Sequence, residues 1–236
     1  MPCLTAPFPF QLLTLLQFDD IPTLSTGNFT NPNSFPLQPV PFPYHRFFFS
    51  NGFHVSSLPT SRYQPSSGSQ LVQYNASLEP IAQIGLAELR TNPCFRFAFL
   101  GISLGCNSTT EPCVFNVAGL QWDGVDEVAQ GLRTFEVAAC STPANCTLSH
   151  QILDSAAQLQ FANLTAINIT LTVAGQPQTW WGDDLQFAWA DNDCIAASCR
   201  ARVPNTIMFP HNSRTFAKTA KSLLRWAVRR QNVDGI

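Results

Sequence analysis

Four carboxylates stand in two adjacent pairs, Asp19-Asp20 near one end of the chain and Asp183-Asp184 near the other, in a sequence of 236 residues that is only 12% charged. The second pair lies in TWWGDDLQFAWADNDC, residues 179–194, with three tryptophans and a cysteine. Such residues can do three kinds of work. They can hold a hard cation through oxygen ligands, calcium foremost. They can act as the acid and base of glycoside hydrolysis. They can also accept hydrogen bonds at strand ends and turns. Alternation lets only one of two adjacent strand residues point inward. With Phe18 and Leu185 facing a core, Asp20 and Asp183 would share its side. Inward carboxylates repel unless a cation lies between them. The leading expectation is therefore a structural calcium held by Asp19, Asp20, Asp183 and Asp184, tying the first strand to the last. The catalytic and plain structural readings stay open beside it.

Other chemistry is sparse. Gly101-Ile102-Ser103-Leu104-Gly105 satisfies G-x-S-x-G, which exposes a nucleophilic serine where a strand turns sharply into a helix. Here a loop and another strand follow, and no helix start is visible. His150 and His211 could complete a Ser-Asp-His order, but order alone is weak. The four histidines have no metal-ligand spacing and no C-x-x-C occurs, which speaks against zinc. No glycine-rich phosphate loop is present.

The elements that must position these residues read as strands. Residues 1–93 hold 13 of the 18 prolines, too many for helices. Strand candidates follow at 15–21, 44–50, 53–58 and 70–76. Further along, FRFAFL (95–100), CVFNVAGLQW (113–122), LRTFEVAAC (132–140), INITLTV (167–173) and DDLQFAWA (183–190) alternate apolar and polar. Strands at these intervals predict an all-β fold, an antiparallel β-sandwich or jelly roll, with one short helix within 150–164. Residues 214–231 repeat at 3.6: Phe216, Ala220, Leu223, Leu224 and Ala227 share one face, and Arg214, Lys218, Lys221, Arg225 and Arg229 the other. A C-terminal amphipathic helix is expected, capping the sandwich or meeting a membrane or anionic surface. The divisions are an N-terminal segment (1–14), a sandwich domain (15–203) and a basic helical tail (204–236).

Eight cysteines include three close pairs, Cys106/Cys113, Cys140/Cys146 and Cys194/Cys199, and these pairings are the expected disulfides. Glycosylation sequons stand at Asn28, Asn75, Asn107, Asn145, Asn163 and Asn168. Together they predict a secreted glycoprotein. The N-terminal stretch lacks a basic n-region and a cleavage motif, so a signal peptide is absent or atypical here. No apolar run is long enough to span a bilayer. Eight of the 13 basic residues lie after position 199, leaving five against 14 acidic residues before it. That acidic body argues against nucleic acid.

FDDIP (18–22), PFPYHRFFFSNGFHV (41–55), FANLTAINITL (161–171) and WWGDDLQFAWADNDC followed by CR (180–200) resemble a family of secreted, mostly uncharacterised fungal proteins. The resemblance covers roughly residues 15–203. It implies a β-sandwich similar to carbohydrate-binding modules, with no assigned activity. Asp19, Asp20, Asp183, Asp184, Asp191 and Cys194 occupy the family's motif positions. Gln17 stands where the family tends to have Thr, and the basic helix has no counterpart in it.

The expected role is binding of cell-wall polysaccharide. Sugar rings stack on flat aromatic surfaces, for which Tyr44, Tyr63, Trp122, Trp180 and Trp181 are the candidates. Two alternatives differ in class: an extracellular carbohydrate-active enzyme, and a secreted effector acting through the basic helix.

Overall fold

A computed structural model describes residues 13–22, 38–57, 61–142 and 146–203. The basic helix, most of the N-terminal segment, Asn28 and Asn145 lie outside them. The architecture is an antiparallel β-sandwich. The larger sheet contains β1 (Leu13–Leu16), β2 (Gln38–Pro39), β4 (Phe53–Ser57), β6 (Gln70–Tyr74), β8 (Phe97–Cys106), β12 (Ser149–Ile152) and β15 (Trp180–Trp189). Its order is β12-β8-β15-β6-β4-β2, with β1 also on β15. The second sheet contains β3 (Phe48–Phe49), β7 (Ala82–Gly85), β9 (Cys113–Trp122), β10 (Glu127–Val137), β13 (Ala166–Val173) and β14 (Gln176–Pro177). There β10-β9-β13-β7-β3 follow in order, and β14 pairs with β13. A two-stranded parallel ribbon, β5 (Tyr63–Gln64) with β11 (Cys146–Thr147), lies apart from both.

Alternating apolar residues fill the space between the sheets, as the strand period of two requires. Phe97, Phe99, Phe187 and Trp189 from the larger sheet meet Phe115, Val117, Ile167 and Ile169 from the smaller in one core. Phe47 stacks on Phe187 with ring centroids 4.5 Å apart. A second, smaller cluster forms on the opposite side of the larger sheet. Tyr63, Leu71, Cys146 and Trp181 bury one another there.

The strand β15 organises the molecule. One edge pairs with β8 along its length. The other edge is shared: Trp180–Gly182 pair with β6, and Leu185–Ala188 pair with β1. First and last strands are thus neighbours, Leu16 opposite Leu185. Where the partner changes from β6 to β1, a register shift follows Asp183, and Asp184 takes φ +48°. That extra residue is a bulge, and it reverses the facing of everything before it. Trp180 points into the main core and Trp181 away from it. Asp183 pairs with Ser103, which lies between the core residues Ile102 and Leu104, so Asp183 faces the outer side.

Among the described residues there are two short α-helices and a 3-10 helix at Ala87–Thr91. The first, α1 (Ser155–Gln160), is capped by Asp154, whose carboxylate accepts from the Ala157 amide at 2.8 Å. The second, α2 (Cys194–Ala201), is capped in the same way by Asp193. Cys106–Cys113 and Cys140–Cys146 are disulfides. The expected Cys194–Cys199 pairing is wrong. Both residues stand on α2, and five helical residues rotate a side chain by about 140°. Cys199 instead bonds Cys94, with Cα atoms 6.3 Å apart, and Cys194 is itself disulfide-bonded.

Candidate functional site

The junction on β15 brings the carboxylates to one loop. Pro65–Ser69, between β5 and β6, crosses the place where β6 gives way to β1. Its backbone amides lack strand partners there, and the aspartates supply acceptors. Asp183 Oδ2 accepts from the Ser66 and Ser67 amides at 2.8 and 3.2 Å, and its Oδ1 from the Asp184 amide at 2.8 Å. Asp184 Oδ1 accepts from the Ser67 hydroxyl at 2.7 Å and from the Gln17 side-chain amide at 3.4 Å. Asp19 Oδ1 accepts from the Ser69 and Gln70 amides at 2.6 and 3.0 Å. Between them Gly68 turns at φ +58°, and a Cβ there would fall on the Asp19 carboxylate. A glycine is required for both reasons.

Asp20 leaves this group. Phe18 adopts φ +64°, which ends the alternation of β1 and turns Asp20 outward. Its oxygens accept from the Tyr44 hydroxyl at 2.5 Å and meet His45 Nε2 at 2.8 Å. Burial works against its charge, but the bonds from Tyr44 and His45 outweigh it and hold Asp20 below the usual carboxylate range. Asp183 behaves oppositely. It is 0% exposed, and burial pushes its carboxyl up to about 7. The Asp184 charge pushes the same way, while the three amide donors pull back.

Among the described residues, no three His, Cys, Asp or Glu side chains converge as a metal cluster. Protein donors occupy Asp183 through both oxygens, and Asp19 and Asp184 each through one. Asp183 thus spends both oxygens on protein donors and Asp20 stands apart with Tyr44 and His45, so the four expected ligands do not converge on one point.

Beside the clasped loop the outer face of the larger sheet opens into a groove of about 570 Å³. Its floor is Ser103 on β8, His150 on β12 and Gln186 on β15. One wall is the end of β1, Leu15 and Gln17, with Asp184. The other is Gln64, Pro65, Ser66, Ser67, Thr147 and Leu148, carried by the β5–β11 ribbon. That ribbon is held by Cys140–Cys146 and by Tyr63, whose hydroxyl donates to the Cys106 carbonyl at 3.0 Å. Ser103 and His150 are cross-strand partners, Oγ to Nδ1 3.1 Å. Ser103 stands in mid-strand, so the G-x-S-x-G match does not form a strand-to-helix elbow.

The aromatic candidates mostly fill space elsewhere. Trp180 and Tyr44 belong to the main core, Tyr63 and Trp181 to the smaller cluster. Each is under 10% exposed, because the bulge turns Trp180 inward and the ribbon covers Trp181. Trp122 is half-buried on the outer face of the other sheet, with the Arg90 guanidinium 4.0 Å over its ring. None lines the groove. Of the sequons, Asn107 and Asn163 are exposed and Asn75 is half-buried. Asn168 faces outward as expected but is 5% exposed in a central strand, so a glycan there has no room. The groove residues Gln64, Ser67 and Gln186 escaped sequence reasoning, while Ser103 and His150 entered it only as part of the G-x-S-x-G match and Gln17 only as a departure from the family. The signal available for Gln186 was its outward place between Leu185 and Phe187.

Fold and site together define a disulfide-stabilised β-sandwich domain with an open groove of mixed polar and apolar lining on one outer face. The chain belongs to the family described as Domain of unknown function (DUF7371), whose model matches residues 13–200. Among curated proteins none matches the chain. In structure it is similar to a DUF4465 family protein from Bacteroides caccae, at 11% identity and TM-score 0.49, over 76% of this chain and 100% of that one. It is also similar to the CBM22-1 xylan-binding domain from Paenibacillus barcinonensis Xyn10C, at 9% identity and TM-score 0.34, over 62% and 87%. The C-terminal family 22 carbohydrate binding module of Clostridium thermocellum Xyn10B aligns at 11% identity and TM-score 0.33, over 61% and 87%. At such values no functional residue transfers to this chain.

Proposed function

We propose that this protein is a non-catalytic extracellular module that binds polysaccharide in the groove on the larger sheet. The observation that carries the proposal is the lining of that groove. Three glutamines, three serines, a threonine and a histidine surround it, with Leu15, Pro65 and Leu148 as apolar patches and Asp184 as the one carboxylate. Amides and hydroxyls both donate and accept, as sugar hydroxyls do. The apolar patches suit the C–H faces of a sugar ring. The volume falls within the usual range for ligand sites, roughly 300–1,000 Å³, and the open shape admits a chain rather than only its end.

An extracellular setting is supported by the disulfides and by the accessible sequons Asn107 and Asn163. In this reading the groove, which none of the five aromatic candidates lines, takes the place of the platform expected from the sequence. Oligosaccharide binding measured by calorimetry tests the reading. The wild type binds a hydroxyl-rich oligomer, and Gln186→Trp, which fills the groove floor, loses that binding while melting as a folded protein. Undiminished binding by the folded variant places the ligand elsewhere.

A further inference from the structure

We propose that the groove is specific for amino sugars, taking a polysaccharide with free primary amines whose ammonium groups pair with Asp184. This rests on the carbohydrate reading above and names the class of sugar within it. The lining carries a carboxylate and no lysine or arginine. Asp184 spends Oδ1 on Ser67 and Gln17, and its Oδ2 accepts nothing from the described residues. Asp183 lies directly behind it, buried, and Asp19 grips the far side of the same loop. Asp184 thus faces the groove beside two further carboxyl groups, and among the described residues no lysine or arginine lines it.

Among the described residues, four arginines have their partners outside the groove. Arg62, next to the ribbon strand β5, donates to Asn107, Ser108 and Cys140. Arg133 pairs with Asp154, and Arg90 with Glu127. Arg200 is held by the carbonyls of Cys94 and Asp191. Both lysines lie outside the described residues. Repulsion therefore disfavours a uronic-acid polymer, and a neutral sugar offers Asp184 Oδ2 only an uncharged hydroxyl donor. An ammonium on the sugar ring supplies a charge-assisted hydrogen bond to that oxygen, while Gln17, Gln64, Gln186 and the serines serve the hydroxyls.

The test compares three hexamers of equal length, of glucosamine, N-acetylglucosamine and glucose, by calorimetry at low salt below neutral pH. The glucosamine hexamer is expected to bind about tenfold more tightly than the neutral two, which corresponds to about 1.4 kcal/mol. The preference should shrink as salt is raised. In Asp184→Asn the preference falls to near onefold. Asparagine keeps the Ser67 bond and tolerates the left-handed backbone, so the fold survives, and its melting temperature checks this. Asp126→Asn, an exposed carboxylate that does not line the groove, should leave the preference intact. Equal affinity for all three hexamers overturns amino-sugar specificity and leaves carbohydrate binding standing. Binding of none overturns both. A lysine pentamer that binds as tightly as the glucosamine hexamer overturns it as well, since charge alone would then account for the affinity.

Discussion

Asp183 shows how a residue type acquires a role from its surroundings. Its carboxylate stands at the one point where β15 changes partners, and it closes two loop amides that would otherwise go unpaired. Burial raises its carboxyl from an ordinary 3.8 to about 7. Because the folded value lies above the unfolded one, the native state prefers the proton. This contribution to stability is fully present below the ordinary value and is lost as pH rises through about 7. The melting temperature of the wild type is therefore expected to fall relative to Asp183→Asn between pH 5 and pH 8, since the amide carries no titration. A difference constant across that range would contradict the assigned burial cause. Calcium is tested at the same residues. Asp183 spends both oxygens on protein donors and Asp20 stands apart, so the melting temperature in millimolar calcium is expected to equal that in chelator. A rise of several degrees with calcium would show that the ion displaces those donors.

At the scale of elements, the sequence disclosed what alternation encodes and concealed what a bulge rewrites. Leu185, Phe187 and Trp189 face the core as their spacing predicts, and β1 does lie beside β15. The left-handed Asp184 shifts the phase by one residue, so alternation extended back from Leu185 places Asp183 on the wrong side. The same shift sends Trp181 outward, where the two-stranded ribbon buries it. No pattern in the sequence marks that ribbon, because its strands are two residues long and pair across more than eighty positions. The disulfides divide likewise. Pairs that bracket a turn were legible, whereas Cys94–Cys199 joins residues 105 apart and depends on where α2 docks. A crosslink over so long a loop typically contributes roughly 2–4 kcal/mol. Replacing both residues by serine should lower the denaturation midpoint and steepen the transition, as the freed unfolded chain expands. An unchanged midpoint would mean that the crosslink contributes nothing to the domain's stability.

Across the whole molecule, the larger sheet does two things with its two faces. The inner face builds an aromatic core with the second sheet, and the outer face carries the ribbon, the clasped loop and the groove between them. The groove wall is anchored by a disulfide, by Tyr63 and by aspartates rather than by bulk packing. Such a wall holds its shape before a ligand arrives, which lowers the ordering cost of binding. Five aromatic residues suggested a stacking surface, and four of them proved to be structural fillers. None of the five lines the groove. The direct test is calorimetric titration of the wild type and of Gln186→Trp with a set of plant and fungal wall oligosaccharides. Saturable binding by the wild type to at least one of them, abolished in the folded variant, is the predicted result. No heat with any oligosaccharide, or equal binding by both proteins, would contradict the assignment of the groove as the ligand site.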